Sequence, residues 1–222
     1  MRAPRGPACS RKSAGFVTQI SHQTLTLSAE GLVCRRGGRL IFEGVGFRLG
    51  NGEALALTGR NGAGKSSLIA MLCGRLRPEA GTIRLEGLVE TPLTEAAHLV
   101  GHRDGLKSAL TAKENLRFAQ DLLGGAAATP EQALEAVGLP HVGALPVGYL
   151  SAGQRRRVAL ARLLVAARPL WLLDEPAAAL DVNAQAMLIG LMQAHLAAGG
   201  AILAATHGPL GIDAARELRI GP

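Results

Sequence analysis

The chain has 222 residues, a formal net charge of +7, and a composition that is 48% hydrophobic but only 3% aromatic. That length suits one domain whose core must come from Ala, Leu, Val and Ile, and no run approaches the roughly eighteen apolar residues of a membrane span. Cys9, Cys34 and Cys73 are odd in number, far apart and without C-x-x-C spacing, which argues against a metal site or a disulfide framework and fits a reducing compartment.

The charge is unevenly placed. Residues 1–29 contain Arg2, Arg5, Arg11 and Lys12 and no acid, so more than half of the excess sits in a stretch without helical or strand periodicity. The rest is only mildly basic, which gives little support to a nucleic-acid surface. A signal peptide would need an apolar stretch after the charges, and none is present, so none is expected, although the Arg and Ser content also resembles a transit peptide. Residues 1–27 are expected to be a disordered basic extension, followed by a folded domain over 28–222.

"GEALALTG" (52–59) is a short apolar run ending in glycine, the pattern of a buried strand. "GRNGAGKSS" follows at once: Gly59, Arg60, Asn61, Gly62, Ala63, Gly64, Lys65, Ser66 and Ser67. It fits G-x-x-x-x-G-K-[ST], in which glycines let backbone N–H groups curl around phosphates and the next helix aims its positive end at the same anion. Lys65 would reach the β- and γ-phosphates, and the Ser66 hydroxyl would ligate Mg²⁺. The pattern predicts binding of a nucleoside triphosphate.

Two helices are predicted downstream. One, over 110–125, is capped by Thr111 with Glu114 three later; the other, over 129–139, is capped by Thr129 with Pro130 at its first position. Together they predict a small helical lobe over about 104–150, in which Leu116, Phe118 and Leu122 are expected to pack internally. "LSAGQRRRVALARL" (150–163) then opens a third helix, running to about Leu164, with Ser151 and Gln154 as a capping box. Gly153 admits close backbone approach, so this helix end can bind an anion. Val158, Ala161 and Val165 supply its buried side, and Arg155, Arg156 and Arg157 are expected to be a solvated or ion-paired surface. Two anion-binding helix ends on one phosphate would be redundant, which points to a dimer whose second site serves the partner's nucleotide.

"PLWLLDEP" (169–176) is a second buried strand, ending in Asp174 and Glu175. Asp174 is placed to hold Mg²⁺ opposite Ser66, and Glu175, facing the other way, to accept a proton from an attacking water. "AILAATH" (201–207) is a third strand, ending in His207, which would meet the γ-phosphate. Open parallel sheets gather ligands at the carboxyl ends of their strands, where all three features fall.

With these motifs the chain resembles the nucleotide-binding subunits of ATP-binding cassette transporters. "GRNGAGKSS" is similar to their Walker A loop, "LSAGQ" to their signature, "LWLLDE" to Walker B, "AALD" (178–181) to the D-loop and "TH" (206–207) to the switch histidine. The resemblance implies the P-loop α/β fold of that family: a mainly parallel sheet flanked by helices, with an N-terminal antiparallel β subdomain and the small helical subdomain. It implies a head-to-tail homodimer sandwiching two ATP, each between one subunit's Lys65 loop and the other's Ser151 and Gly153. Glu175 would be the base, His207 would hold the γ-phosphate and Asp181 would communicate across the interface.

Two positions depart from the family. Arg36 stands where relatives carry an aromatic that stacks on adenine, a task a guanidinium plane can also perform. Arg103, preceded by His102, stands where a glutamine usually senses the γ-phosphate. Within the family, "GHRDGLK…LTAKENL" and "LWLLDEPAAALDVN" are similar to the haem-exporter ATPases of cytochrome c maturation. That likeness implies a peripheral place on the cytoplasmic face of the bacterial inner membrane and an integral membrane permease as partner. No C-x-x-C-H and no axial histidine pair suggests direct haem binding, and no nucleic-acid partner is expected. Two alternatives stay open: an exporter ATPase for another substrate, and a soluble nucleic-acid-associated ATPase of the same superfamily.

Overall fold

The computed structural model describes residues 24–88, 91–124 and 127–221. The expected N-terminal extension lies outside these residues except at its end, where the first strand begins at Thr26.

In chain order the elements are β1 (Thr26–Arg36), β2 (Arg39–Gly50), β3 (Ala54–Thr58), α1 (Lys65–Leu72), β4 (Ala80–Glu86), α2 (Leu93–Ala96), β5 (Ala97–Val100), α3 (Ala112–Leu123) and α4 (Pro130–Ala136). They continue with α5 (Ala152–Val165), β6 (Leu170–Asp174), α6 (Val182–Ala197), β7 (Ala201–Ala205) and β8 (Arg216–Arg219). Among the described residues the strands form two sheets, an antiparallel one ordered β2-β1-β4 and a parallel one ordered β5-β6-β7-β3-β8.

β1 alternates as a half-buried strand should. Leu27 and Ala29 point inward, as does Leu25 just before the strand, Glu30 and Gly31 break the rhythm, and Leu32 and Cys34 resume it. The break is a bulge, with the pairing to β2 shifted between Ala29 and Leu32 and Gly31 at φ 59°. Strands β6, β3 and β7 read instead as unbroken apolar runs, because both faces of the parallel sheet are covered. On one face Leu55, Leu57, Leu170, Leu172 and Leu203 meet α1 and the antiparallel sheet. On the other, Ala54, Ala56, Trp171, Leu173 and Ile202 meet α5 and α6.

A third cluster lies beyond the sheet. Leu116, Leu134, Val142 and Val147 pack against Val158, Ala161 and Val165 of α5, so this helix serves both the sheet and the small lobe. The capping boxes at Thr111–Glu114, Thr129–Gln132 and Ser151–Gln154 are all formed. Leu116 is buried as expected, but Phe118 and Leu122 are not: they are 47% and 70% exposed. They lie on the side of α3 turned away from the cluster, one turn apart. Lys107 Nζ stands 5.1 Å from the Phe118 ring centroid. No helix among the described residues is long and apolar enough to cross a membrane.

Two buried histidines bracket Trp171. His98 of β5 is its register partner, and the His195 ring of α6 stacks on it at 3.9 Å between centroids. Among the described residues no well-aligned hydrogen bond reaches either ring nitrogen of His98. Burial, with Arg162 and Arg168 nearby, pushes the His98 pKa down to about 3, and burial pushes that of His195 down to about 4. Both rings are therefore neutral in the folded chain and protonate more readily when it unfolds, so their contribution is complete above about pH 6.5. Stability should fall as pH drops from there toward 4, by up to about 1.4 kcal/mol per histidine for each pH unit. Thermal melts between about pH 7 and pH 5 check this: His98→Leu should halve the slope while leaving stability at pH 7 unchanged or raised.

Candidate functional site

The loop from Gly59 to Lys65 joins the end of β3 to the start of α1. Gly64, the residue before α1, sits at φ 106° and offers no side-chain cap, so the first-turn N–H groups are left for an anion. A Cβ at Gly59 would lie 2.3 Å from the Ile220 carbonyl oxygen, and one at Gly64 2.7 Å from both Ile41 and Phe42. Glycine is therefore required there twice over, by conformation and by space. Lys65 is buried, with its Nζ donating to the Gly59 carbonyl at 2.9 Å, which draws the ammonium across the concave side of the loop. Ser66 is exposed in the first turn. Arg60, Asn61, Gly62 and Ala63 form the loop's rim, with Gly62 at φ 81°.

Parallel pairing sets the other members beside it. Leu57 pairs with Ala205, and Ala205 with Asp174, so the ends of β3, β7 and β6 form one row. Asp174 is thus about two strand spacings, roughly 10 Å, from the end of β3. It is 8% exposed. Glu175 turns out of the strand at φ 48°, a left-handed conformation that is uncommon for a residue with a Cβ. Its Oε1 lies 3.2 Å from His207 Nε2, close enough to attract but not aligned as a hydrogen bond, so this buried oxygen has no donor among the described residues. An acceptor held buried without a donor is suited to receiving a proton.

At the start of α5 the Ser151 hydroxyl accepts from Gln154 N–H at 3.2 Å, and the Gln154 side chain accepts from Ser151 N–H at 2.9 Å. Among the described residues the N–H groups of Ala152 and Gly153 are left for an outside acceptor. A Cβ at Gly153 would lie 3.0 Å from the Ala179 carbonyl, so the same chain's 178–181 turn already crowds this glycine. Asp181 caps α6, accepting from Ala184 N–H at 2.8 Å. Nearby, Tyr149 and Val182 are large apolar side chains exposed at 84% and 81%.

The expectation for the three arginines needs correction at Arg156, which is 3% exposed. Its Nη2 donates to the carbonyls of Asp174 (3.0 Å) and Glu175 (2.7 Å), and its Nε to that of Pro176 (3.3 Å). Its Nη1 donates to the Gly101 carbonyl (2.8 Å) and the Asp104 carboxylate (3.1 Å). Arg155 donates instead to the carbonyl of Leu150, and Arg157 to those of Val137 and Gly138 in the small lobe. Composition and spacing do not reveal the difference, because three consecutive arginines on a helix differ only in which neighbour each faces.

The two departures fall at the edges of the site. Arg36 is exposed at the end of β1, paired with Arg39 across the hairpin. Two residues earlier, Cys34 is fully buried and its thiol is hydrogen-bonded with Ser67 of the phosphate-loop helix; burial pushes this thiol up from its usual range. The hairpin bearing Arg36 therefore touches the first turn of α1. His102 and Arg103 are exposed in the segment after β5, whose Gly101 and Asp104 are those held by Arg156. A cavity of about 570 Å³ between β2 and β8, lined by Ile41, Phe42 and Gly221 among others, backs onto the loop without containing any of its residues.

Residues 42–178 match the ABC transporter family. The chain is 58% identical to the "Cytochrome c biogenesis ATP-binding export protein CcmA" of Rhodopseudomonas palustris (strain BisB5) over 196 residues, 88% of this chain and 98% of that protein. It is 54% identical to the protein of the same name from Bradyrhizobium diazoefficiens, over 89% of this chain and 98% of the relative. Among solved structures it is similar to an ATP-binding subunit of an ABC transporter, at 28% identity and a TM-score of 0.72 over 82% of this chain and 79% of that one. A bacterial Atm1-family ABC exporter with ATP bound shares the fold, at 24% identity and a TM-score of 0.75 over 93% of this chain and 41% of that one. The family match over residues 42–178 and the identity along nearly the whole length of these relatives show that the chain belongs to the ABC transporter family as an ATP-binding, ATP-hydrolysing subunit.

Proposed function

We propose that the chain energises a haem-export or haem-handling step in the assembly of c-type cytochromes. The observation that carries the reading is 58% identity along nearly the whole length of a curated cytochrome c biogenesis export ATPase. On this reading it sits at the cytoplasmic face of the bacterial inner membrane, docked on an integral membrane permease. The exposed apolar pair Phe118 and Leu122, with Lys107 over the Phe118 ring, favours the helical lobe at about 104–150 as the docking element. Haem itself is left to the membrane partners.

The working form is a homodimer in which the Lys65 loop of one copy faces Ser151 and Gly153 of the other. Two features support it: the free N–H groups at the tip of α5, and the exposed Tyr149 and Val182 that a second copy would cover. Residues 59–67 cradle the triphosphate, and Arg36 stacks on the adenine. Ser66 and Asp174 would hold Mg²⁺, which as a hard cation takes hydroxyl and carboxylate oxygens and would offset phosphate charge. Glu175 takes the proton of the attacking water, His207 holds the γ-phosphate, and Asp181 fixes the turn that meets the partner. Once hydrolysis removes a phosphate gripped from both sides, the sandwich loosens, and that opening drives the membrane subunits.

Glu175→Gln should still bind ATP, hydrolyse it about a hundredfold or more slowly, and elute as an ATP-dependent dimer in size-exclusion chromatography with light scattering. Parental turnover in that variant would remove the base assignment. The shared site has its own test. Lys65→Ala and Ser151→Arg chains should each be inactive, yet mixing them should restore about a quarter of parental turnover, because half of the dimers then keep one intact site. No recovery on mixing would show that each site is built within one chain.

A further inference from the structure

Arg156 lies outside the motif positions assigned above, yet its guanidinium is the most heavily bonded side-chain group at the site. Arginine has five N–H donors. Here all five are used, four on backbone carbonyls and one on the Asp104 carboxylate. Three of the carbonyls, from Asp174, Glu175 and Pro176, are consecutive. Turning three successive carbonyls toward one point requires an unusual backbone, and Glu175 at φ 48° is what provides it. A buried cation at their focus offsets both the carbonyl crowding and the left-handed strain.

The remaining two donors grip the loop after β5, through Gly101 and Asp104, and Arg162 of the same helix adds a bond to the Asp104 carbonyl at 3.1 Å. A planar fork cannot yield to one set of partners without moving the other. It is also anchored one turn inside α5, behind the Ser151 and Gly153 tip.

We infer that Arg156 is a positioning residue: it sets the direction of the Glu175 carboxylate and makes that direction depend on the loop at 101–104. The inference rests on the proposed role of Glu175 as the base. Displacement of the loop bearing His102 and Arg103 is carried through one rigid group to the residue that activates water.

ATP affinity and turnover of the full chain separate this role from a structural one. Arg156→Lys keeps the charge but replaces the fork with a single ammonium. It should lower kcat about tenfold to a hundredfold, with ATP Kd within about threefold of parental. Added to Glu175→Gln it should not lower the residual rate further, because the carboxylate it positions is already gone. Parental kcat in a folded Arg156→Lys, a Kd loss that matches the kcat loss, or a further fall in the double variant overturns the inference. Should Arg156→Lys fail to fold, Asp104→Asn decides, since it spares the carbonyl bonds. About a threefold drop in kcat at unchanged Kd supports the link, and parental kcat refutes it. If Glu175→Gln itself turns over normally, the base assignment fails, and that outcome is distinct from failure of Arg156.

Discussion

Parallel pairing of β6, β7 and β3 is the constraint from which the site follows. Every parallel neighbour must be reached by a crossover, so successive strands all end at the same edge of the sheet. The backbone row through Leu57, Ala205 and Asp174 then brings three distant segments together: the phosphate loop, the acidic pair and the histidine turn. None of these side chains needs to seek another. Burial of both sheet faces holds the row in place, with the leucines of β3, β6 and β7 on one side and Trp171, Leu173 and Ile202 on the other.

Around that edge the backbone is packed more tightly than ordinary side chains allow. Gly59 lies against the Ile220 carbonyl, Gly64 against Ile41 and Phe42, and Gly153 against the Ala179 carbonyl. Glu175 and Ala179 adopt left-handed conformations despite carrying a Cβ. Such strain persists only where the surroundings over-determine the conformation. At Glu175 the surroundings are the Arg156 guanidinium and the rung to β7, where Glu175 N–H donates to the Ala205 carbonyl at 3.0 Å. The antiparallel sheet contributes from the other side, with Cys34 bonded to Ser67 and Phe42 closed over Gly64.

Helix α5 joins these parts. Its tip offers free N–H groups, its Val158, Ala161 and Val165 face completes the core of the small lobe, and Arg156 and Arg162 hold the loop at 101–105. One element therefore links the Ser151–Gly153 tip, the acidic turn and the small lobe. A tilt of α5 would reach all three together, as the proposed coupling of phosphate chemistry to movement requires.

What the sequence determined by itself was local. The three capping boxes are set by a hydroxyl and a Glu or Gln side chain three residues apart, the turn between β3 and α1 by glycine spacing, and the core strands by unbroken apolar runs; such signals act within a few residues and need no tertiary partner. Tertiary structure decided whatever depends on which neighbour a side chain meets. Arg156 has the same residue type as Arg155 and Arg157, and only the convergence of carbonyls from β6 and the loop after β5 makes it a buried anchor. Phe118 and Leu122 continue an apolar pattern that the small lobe does not use. His98 and His195 become neutral because burial around Trp171 disfavours their charged forms, with Arg162 and Arg168 adding to this at His98. In each case the deciding term is desolvation or hydrogen-bond satisfaction at long range, and neither is encoded in the spacing of residues along the chain.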